Sequence, residues 1–386
     1  MPNLHIENLT PFAYPASIGE VGFIWEARNE KETLVLAKNK DEEFFIKIVK
    51  KENHFLLKSD KITKPTDANL LKEALNEYKK GVKGIEIFSN TSISKKKSEK
   101  NSNLLKKIDF FSKISKEKRE IWLEIGFGSG RHLLHQAKEN RDVLIIGIEI
   151  YKPSIEQVLK RAHLEGVENI YLIDYDARIL MEFLNSNSIG KIFVHFPVPW
   201  DKKPHRRVIS KEFTNEALRV LKKDGFLELR TDSELYFDFA LKTFLDFEKT
   251  IINIEKNMDL PISSKYEDRW KRLNKDIYNV KIFSKKVDDP IKPPSKLIFS
   301  GEFLPINFDL KNRIFKDKDF FLKVEEVYET ESEKYLLKVA FGSFDMPEHR
   351  YVVIEKNSAY YFPHQVYSTR ANKEAHEVLQ SWLKDG

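Results

Sequence analysis

The stretch EIWLEIGFGSGRHLLHQAKENRDVLIIGIEI, residues 120–150, decides the fold. IWLEIGF is an apolar run of strand length, and Gly126, Gly128 and Gly130 punctuate its end. A helical segment is expected from Gly130 to Asn140, and VLIIGIEI reads as a second buried strand. Strands that run apolar without alternation are covered on both faces, as in a parallel sheet between helices. The rhythm continues outward. A helix over Ser154–Glu165 leads to the strand NIYLIDYD, KIFVHFP follows, and a helix over Lys211–Lys222 leads to GFLELRTD. Strands alternating with helices of about 10–15 residues build βαβ units. We expect an α/β fold with a doubly wound, mostly parallel sheet over residues 119–288.

Glycines at the end of a strand allow a tight turn and close approach of a ligand to the backbone. A dinucleotide site and an S-adenosylmethionine site both use such a loop. The dinucleotide fingerprint needs a glycine where Arg131 stands, and Glu124, two residues before Gly126, would repel a pyrophosphate. A carboxylate there suits a ligand that carries a sulfonium and an ammonium group. Glu149 ends the second strand, where a carboxylate can accept from both ribose hydroxyls. Asp176, in DYDA after the third strand, is placed for the adenine amino group, with Asp174 as its competitor. These three acids fall at the C-terminal ends of successive strands, the ligand edge of a doubly wound sheet.

A second constellation follows the fourth strand. HFPVPWDKKPHRR, residues 195–207, sets the flat face of Trp200 beside Lys202, Lys203, Arg206 and Arg207. Aromatic and basic groups together suit a nucleic-acid base and its phosphates. The plain alternative is a buried tryptophan beside a solvated basic loop.

In this order and spacing, LEIGFGSG, GIEI, YDAR, FPVPWDKKPHRR, DGFLELRTD and SKYEDR make the chain resemble the bacterial tRNA (guanine-N7)-methyltransferases over about residues 119–286. That resemblance implies a Rossmann-like class I methyltransferase core and transfer of a methyl group from S-adenosyl-L-methionine to N7 of a variable-loop guanine in tRNA. It implies donor contacts at Glu124, Gly126, Gly128, Glu149 and Asp176. It implies tRNA or guanine contacts at Lys202, Asp232, Ser264, Lys265, Tyr266 and Glu267, with Ser264 where the family has Thr. Val198 stands where the family has the Asp of F-P-D-P-W, which is credited with a catalytic role. The catalytic residue is therefore unassigned, and Asp201 and Asp232 are the candidates to supply that carboxylate. Guanine N7 has a free lone pair and no proton to lose, so no general base is required. A methyltransferase acting on another RNA such as rRNA, and a tRNA-binding protein without activity, are the competing readings.

The flanks differ in character. Residues 1–90 carry short β-branched and aromatic runs with a helix expected at Asn69–Lys80. Residues 289–386 return to such runs and close on a helix at Asn372–Lys384. Both β-rich regions share a loose order of strand, acidic turn and strand, as an internal duplication would leave. Residues 91–118 read as a Lys/Ser/Asn-rich flexible linker. Its nine lysines from Lys95 to Lys118 would also suit an arm that contacts phosphates.

Composition sets outer limits. The 386 residues include 66 basic and 60 acidic ones, a net charge of +6 that alone establishes no polyanionic partner. The absence of cysteine excludes disulfides, thiolate catalysis and cysteine-ligated metals. His132 and His135 lie three apart on a helix without a third ligand, so no metal site is expected. No run approaches the ~18 apolar residues of a membrane span, and a cytoplasmic location is expected.

Overall fold

The computed structural model describes residues 2–93, 103–259, 261–262, 267–268, 272–303, 308–331, 334–355 and 357–385. Two compact units result: residues 99–294, and residues 1–98 together with 295–386.

The N-terminal part of the second unit opens with β1 (Asn3–Thr10), β2 (Ala16–Ile18), β3 (Val21–Arg28), β4 (Glu32–Asn39), β5 (Glu42–Lys50) and β6 (Phe55–Ser59). Helix α1 (Ala68–Gly81) and β7 (Lys83–Ser89) follow. Asp67 caps α1 by accepting from the Asn69 backbone N–H. Leu70, Leu71, Ala74, Leu75 and Tyr78 recur at helical spacing and bury against Val21, Phe23, Val35, Phe44 and Ile46.

Residues 99–294 form the α/β unit. Helix α2 (Ile108–Phe111) precedes β8 (Glu120–Ile125), α3 (Arg131–Glu139), β9 (Val143–Glu149) and α4 (Lys152–Glu165). Then come β10 (Ile170–Asp174), α5 (Ala177–Phe183), β11 (Ile189–His195), α6 (Lys211–Val220), β12 (Leu221–Thr231) and α7 (Glu234–Leu245). The hairpin of β13 (Thr250–Lys256) and β14 (Tyr278–Ser284) closes the unit. The seven-stranded order is β10-β9-β8-β11-β12-β14-β13, parallel from β10 to β12, with β14 antiparallel to both neighbours. This is the Rossmann-like class I arrangement expected. The chain winds from β8 outward to β10 and returns to the far side of β8 as β11, so the C-terminal ends of β8 and β11 flank the topological switch point.

The expected linker ends early. Leu104 O accepts from Leu172 N and Leu172 O from Lys106 N, each at 2.8 Å, so residues 104–106 lie along β10. Ile108, Phe111 and Ile114 are buried. Apolar residues recurring within NLLKKIDFFSKI supply the burial that a solvated linker lacks. Of the lysine-rich stretch, residues 94–102 lie outside those described.

The C-terminal part adds β15 (Ile314–Lys316), β16 (Phe321–Glu329), β17 (Tyr335–Gly342), β18 (Pro347–Glu355), β19 (Ser358–Phe362) and α8 (Arg370–Asp385). The two β-rich ends join one twelve-stranded sheet, β19-β18-β17-β16-β3-β4-β5-β6-β1-β7, with β2 and β15 paired at its side. Each half is a four-stranded antiparallel meander followed by a helix, and the halves meet antiparallel at Glu329 and Arg28. This symmetric order is what an internal duplication produces. Side chains from both halves share one core: Phe45 packs edge-on against Tyr351 and Phe362, and the Tyr351 hydroxyl donates to Asp60 at 3.0 Å. The joining removes an exposed edge from β3 and from β16.

Candidate functional site: a glycine loop over a buried polar string

The site is built at the C-terminal ends of β8, β9, β10 and β11. Gly126, Gly128 and Gly130 all adopt positive φ, between 51° and 69°, which carries the chain from β8 into α3. The glycines do different work. A Cβ at Gly126 would meet nothing within 4 Å, so the loop leaves open space in front of β8. A Cβ at Gly130 would stand 2.3 Å from Val158 Cγ2, so that glycine lets α4 pack against the loop.

Glu149 ends β9 and is fastened to this loop. Its Oε2 accepts from Gly128 N at 3.1 Å, and its Oε1 accepts from Ile150 N at 2.8 Å and Tyr151 N at 3.0 Å. A carboxylate has about four acceptor sites, so capacity remains for a ligand hydroxyl. Asp174 faces Glu149 directly across β9 and β10. Partial desolvation holds its carboxyl above the usual range against the pull of Lys152, and the Glu149 charge adds to the rise.

Asp176 differs from expectation. It caps α5 by accepting from Arg178 N at 2.9 Å, and both its oxygens bind the Arg178 guanidinium, at 3.0 and 2.9 Å. A carboxylate spent on a cap and a bidentate pair has little left for an adenine amino group.

Glu124 is buried in β8, and its Oε2 lies 2.7 Å from His132 Nδ1 on α3. Among the described residues, its Oε1 has no hydrogen-bond partner. The His132 ring sits 4.5 Å from that of His195 at the end of β11. His195 Nε2 lies 2.6 Å from Glu228 Oε1 on β12, and Glu228 Oε2 lies 3.3 Å from Lys281 Nζ on β14. The register explains the alignment: Glu124, Phe193, Glu228 and Lys281 are direct neighbours across β8, β11, β12 and β14. Burial disfavours the His132 cation, but the Glu124 carboxylate outweighs it and raises the imidazole above its ordinary range. Burial pushes His195 down, and the hydrogen bond to Glu228 does not offset this. Burial opposes ionisation of Glu228 too, yet His195 and Lys281 hold its carboxyl at about 2. The string thus runs from Glu124 through His132 and His195 to Glu228 and Lys281.

The loop after β11 forms the basic side. Phe196 and Trp200 both take φ of 48°, and the Trp200 ring is 38% exposed, under the Arg206 guanidinium at 5.1 Å. Arg207 is instead buried. It donates to Pro199 O at 2.7 Å, approaches Asp201 at 3.3 Å and stacks on Tyr236 and Phe239, so it shapes the loop. Lys202 is exposed and makes no ion pair or hydrogen bond among the described residues. Val198 is 61% exposed. Of the carboxylates considered in its place, Asp201 approaches Arg207 and Asp232 is paired with Lys275 at 3.1 Å.

Glu267 also departs from the expected ligand contact. It is buried and binds Arg230, on β12, at 2.7 Å, while Arg230 Nη2 also donates to Met258 O. Ser264, Lys265 and Tyr266 lie outside the described residues. Among those described, no three His, Asp or Glu side chains gather as for a metal, and no helix is long and apolar enough to cross a membrane.

The sequence does not single out His195, Glu228, Arg230 or Lys281, and it raises His132 only as a metal ligand. A signal existed: charged or imidazole groups sharing one face of otherwise apolar strands, Lys191 and His195 on β11 and Glu228 and Arg230 on β12, mark a polar row on one sheet face.

The space at Gly126, the unpartnered Glu124 oxygen and the spare acceptor of Glu149 fit a cationic ligand with a ribose. The family described as "Putative methyltransferase" matches residues 118–280. A "tRNA (guanine-N(7)-)-methyltransferase" of Campylobacter jejuni is 43% identical over 395 aligned residues, covering 100% of this chain and 99% of that one. Proteins of the same description from Wolinella succinogenes and Helicobacter acinonychis are 41% and 38% identical, covering 91% and 97% of this chain and 91% and 95% of their own. The likeness runs through both β-rich ends as well as the α/β unit, and the chain belongs to the tRNA (guanine-N(7)-)-methyltransferase family.

Proposed function

We propose that this chain transfers a methyl group from S-adenosyl-L-methionine to N7 of a guanine in tRNA, the variable-loop guanine that the motif resemblance implies. The observation that carries the reading is whole-length likeness to relatives of that description, together with a donor-shaped loop at the switch point of the sheet. S-adenosylmethionine, when bound, supplies an electrophilic methyl carbon on a sulfonium. Glu124 and Glu149 then hold the ammonium and the ribose, with Gly126 and Gly128 allowing close approach. Asp174, rather than the engaged Asp176, is the acid beside Glu149 with a carboxyl free for the base.

The guanine needs orientation more than activation. N7 attacks with a lone pair that carries no proton, so alignment of nucleophile with methyl carbon supplies the rate. Trp200 offers a stacking face and Lys202 a phosphate contact. Exposed Val198 leaves the catalytic carboxylate of the family without a replacement at that position. The test is methyl transfer from labelled donor to a tRNA transcript, with the modified base mapped. Label in N7-methylguanine of the variable loop is expected. Label confined to rRNA, or none in any RNA, would overturn the reading.

A further inference from the structure

The two histidines of the buried string have no part in the reaction as described, yet His132 lies in the first turn of α3, which follows the glycine loop, and His195 ends β11, the neighbour of β8. Glu124 stands between Leu123 and Ile125, both buried, and a buried carboxyl is costly unless a donor or a cation meets its oxygens. His132 meets it on one oxygen only. Its ring is fixed on every side: Gln136 Nε2 lies 3.2 Å from its other nitrogen, Phe193 packs edge-on at 4.9 Å, and His195 closes the remaining face. His195 is in turn held by Glu228, and Glu228 by Lys281.

We propose that His132 is a positioning residue for the donor: it fixes Glu124 through Oε2, so that Oε1 is presented to the cationic end of S-adenosylmethionine, with His195 and Glu228 bracing the ring from behind. This rests on the donor reading given above. The charged and titratable groups facing His132 agree with it. They are Glu124 on β8, His195 on β11 and Glu228 on β12, with the Glu267 carboxylate also favouring its cation. A lysine in the same place would neutralise Glu124 as a mobile point charge, whereas an imidazole donates along one fixed direction and leaves the second oxygen's lone pairs free.

Donor binding to the full chain, read by calorimetry beside a melting curve, tests this. His132→Phe keeps the ring volume but removes the donor. The dissociation constant for S-adenosylmethionine should rise about ten- to a hundredfold at pH 7, the size of a lost charge-assisted bond. His132→Asn, whose amide nitrogen falls near the place of Nδ1, should restore most of the affinity, and tRNA affinity should stay as in the wild type. His132→Ser, too short to reach Oε2, serves if the Phe variant does not fold. A lowered melting temperature with wild-type donor affinity would overturn the proposal and leave His132 a packing residue. Failure of the wild-type chain to bind the donor would instead overturn the donor reading itself.

Discussion

Replacing Glu228 by Gln removes the negative charge at the centre of the buried string while keeping its shape. Glu228 receives His195 at 2.6 Å and Lys281 at 3.3 Å and is almost wholly screened from water. Its carboxyl sits at about 2 against an ordinary 4.5. A difference of about 2.5 units is worth about 3 kcal/mol, shared with its two partners. Because the folded value lies below the unfolded one, this stability is fully present above pH 4.5 and is lost as pH falls from 4.5 towards 2. Glu228→Gln should therefore lower the stability of the α/β unit by about 3 kcal/mol at pH 7 and by about 2 kcal/mol at pH 3.5. Urea unfolding followed by amide hydrogen exchange in peptides spanning residues 189–195 and 221–231 isolates this unit from the β-rich one. A penalty of equal size at both pH values would show that hydrogen-bond geometry, and not charge, holds the string. No penalty at pH 7 would show that desolvation cancels the attraction.

Two other substitutions separate packing from binding. Gly130→Ala puts a side chain at φ +68° and its Cβ against Val158, so the melting curve should record a loss of about 2–3 kcal/mol. Adding Val158→Ala should recover the collision but leave about 1 kcal/mol of backbone strain; no recovery would mean that strain accounts for all of it. Lys202→Ala should weaken tRNA binding and make the slope of log affinity against log salt shallower by about one unit, with donor affinity unchanged. Equal loss of both affinities would show that Lys202 maintains the site's shape.

The strands on either side of the glycine loop were legible because uninterrupted apolar runs leave few alternatives. Glu149 was legible because a carboxylate ending such a strand must lie at the ligand edge. The position of Asp176 after the third strand is legible, and its engagement by Arg178 is signalled only locally, by an Asp followed two residues later by an Arg at a helix start. The pairing of Glu267 is hidden in the sequence because its partner, Arg230, is 37 residues away and on another element. The linker was read to residue 118 because lysines outweighed the apolar residues interleaved with them.

Sequence alone therefore determined the order of the five parallel strands, the glycine loop that follows the first of them and the acids near their C-terminal ends. Each of these follows from residue type and spacing over a few turns of chain. Tertiary structure alone decided which charges meet. The registry of β8, β11, β12 and β14 brings Glu124, Glu228 and Lys281 into one row, and α3 lowers His132 onto it. It also decided that the two β-rich ends are halves of one sheet. β3 and β16 are separated by the whole α/β unit, and each strand's pattern states which face it buries but not which edge will pair with it.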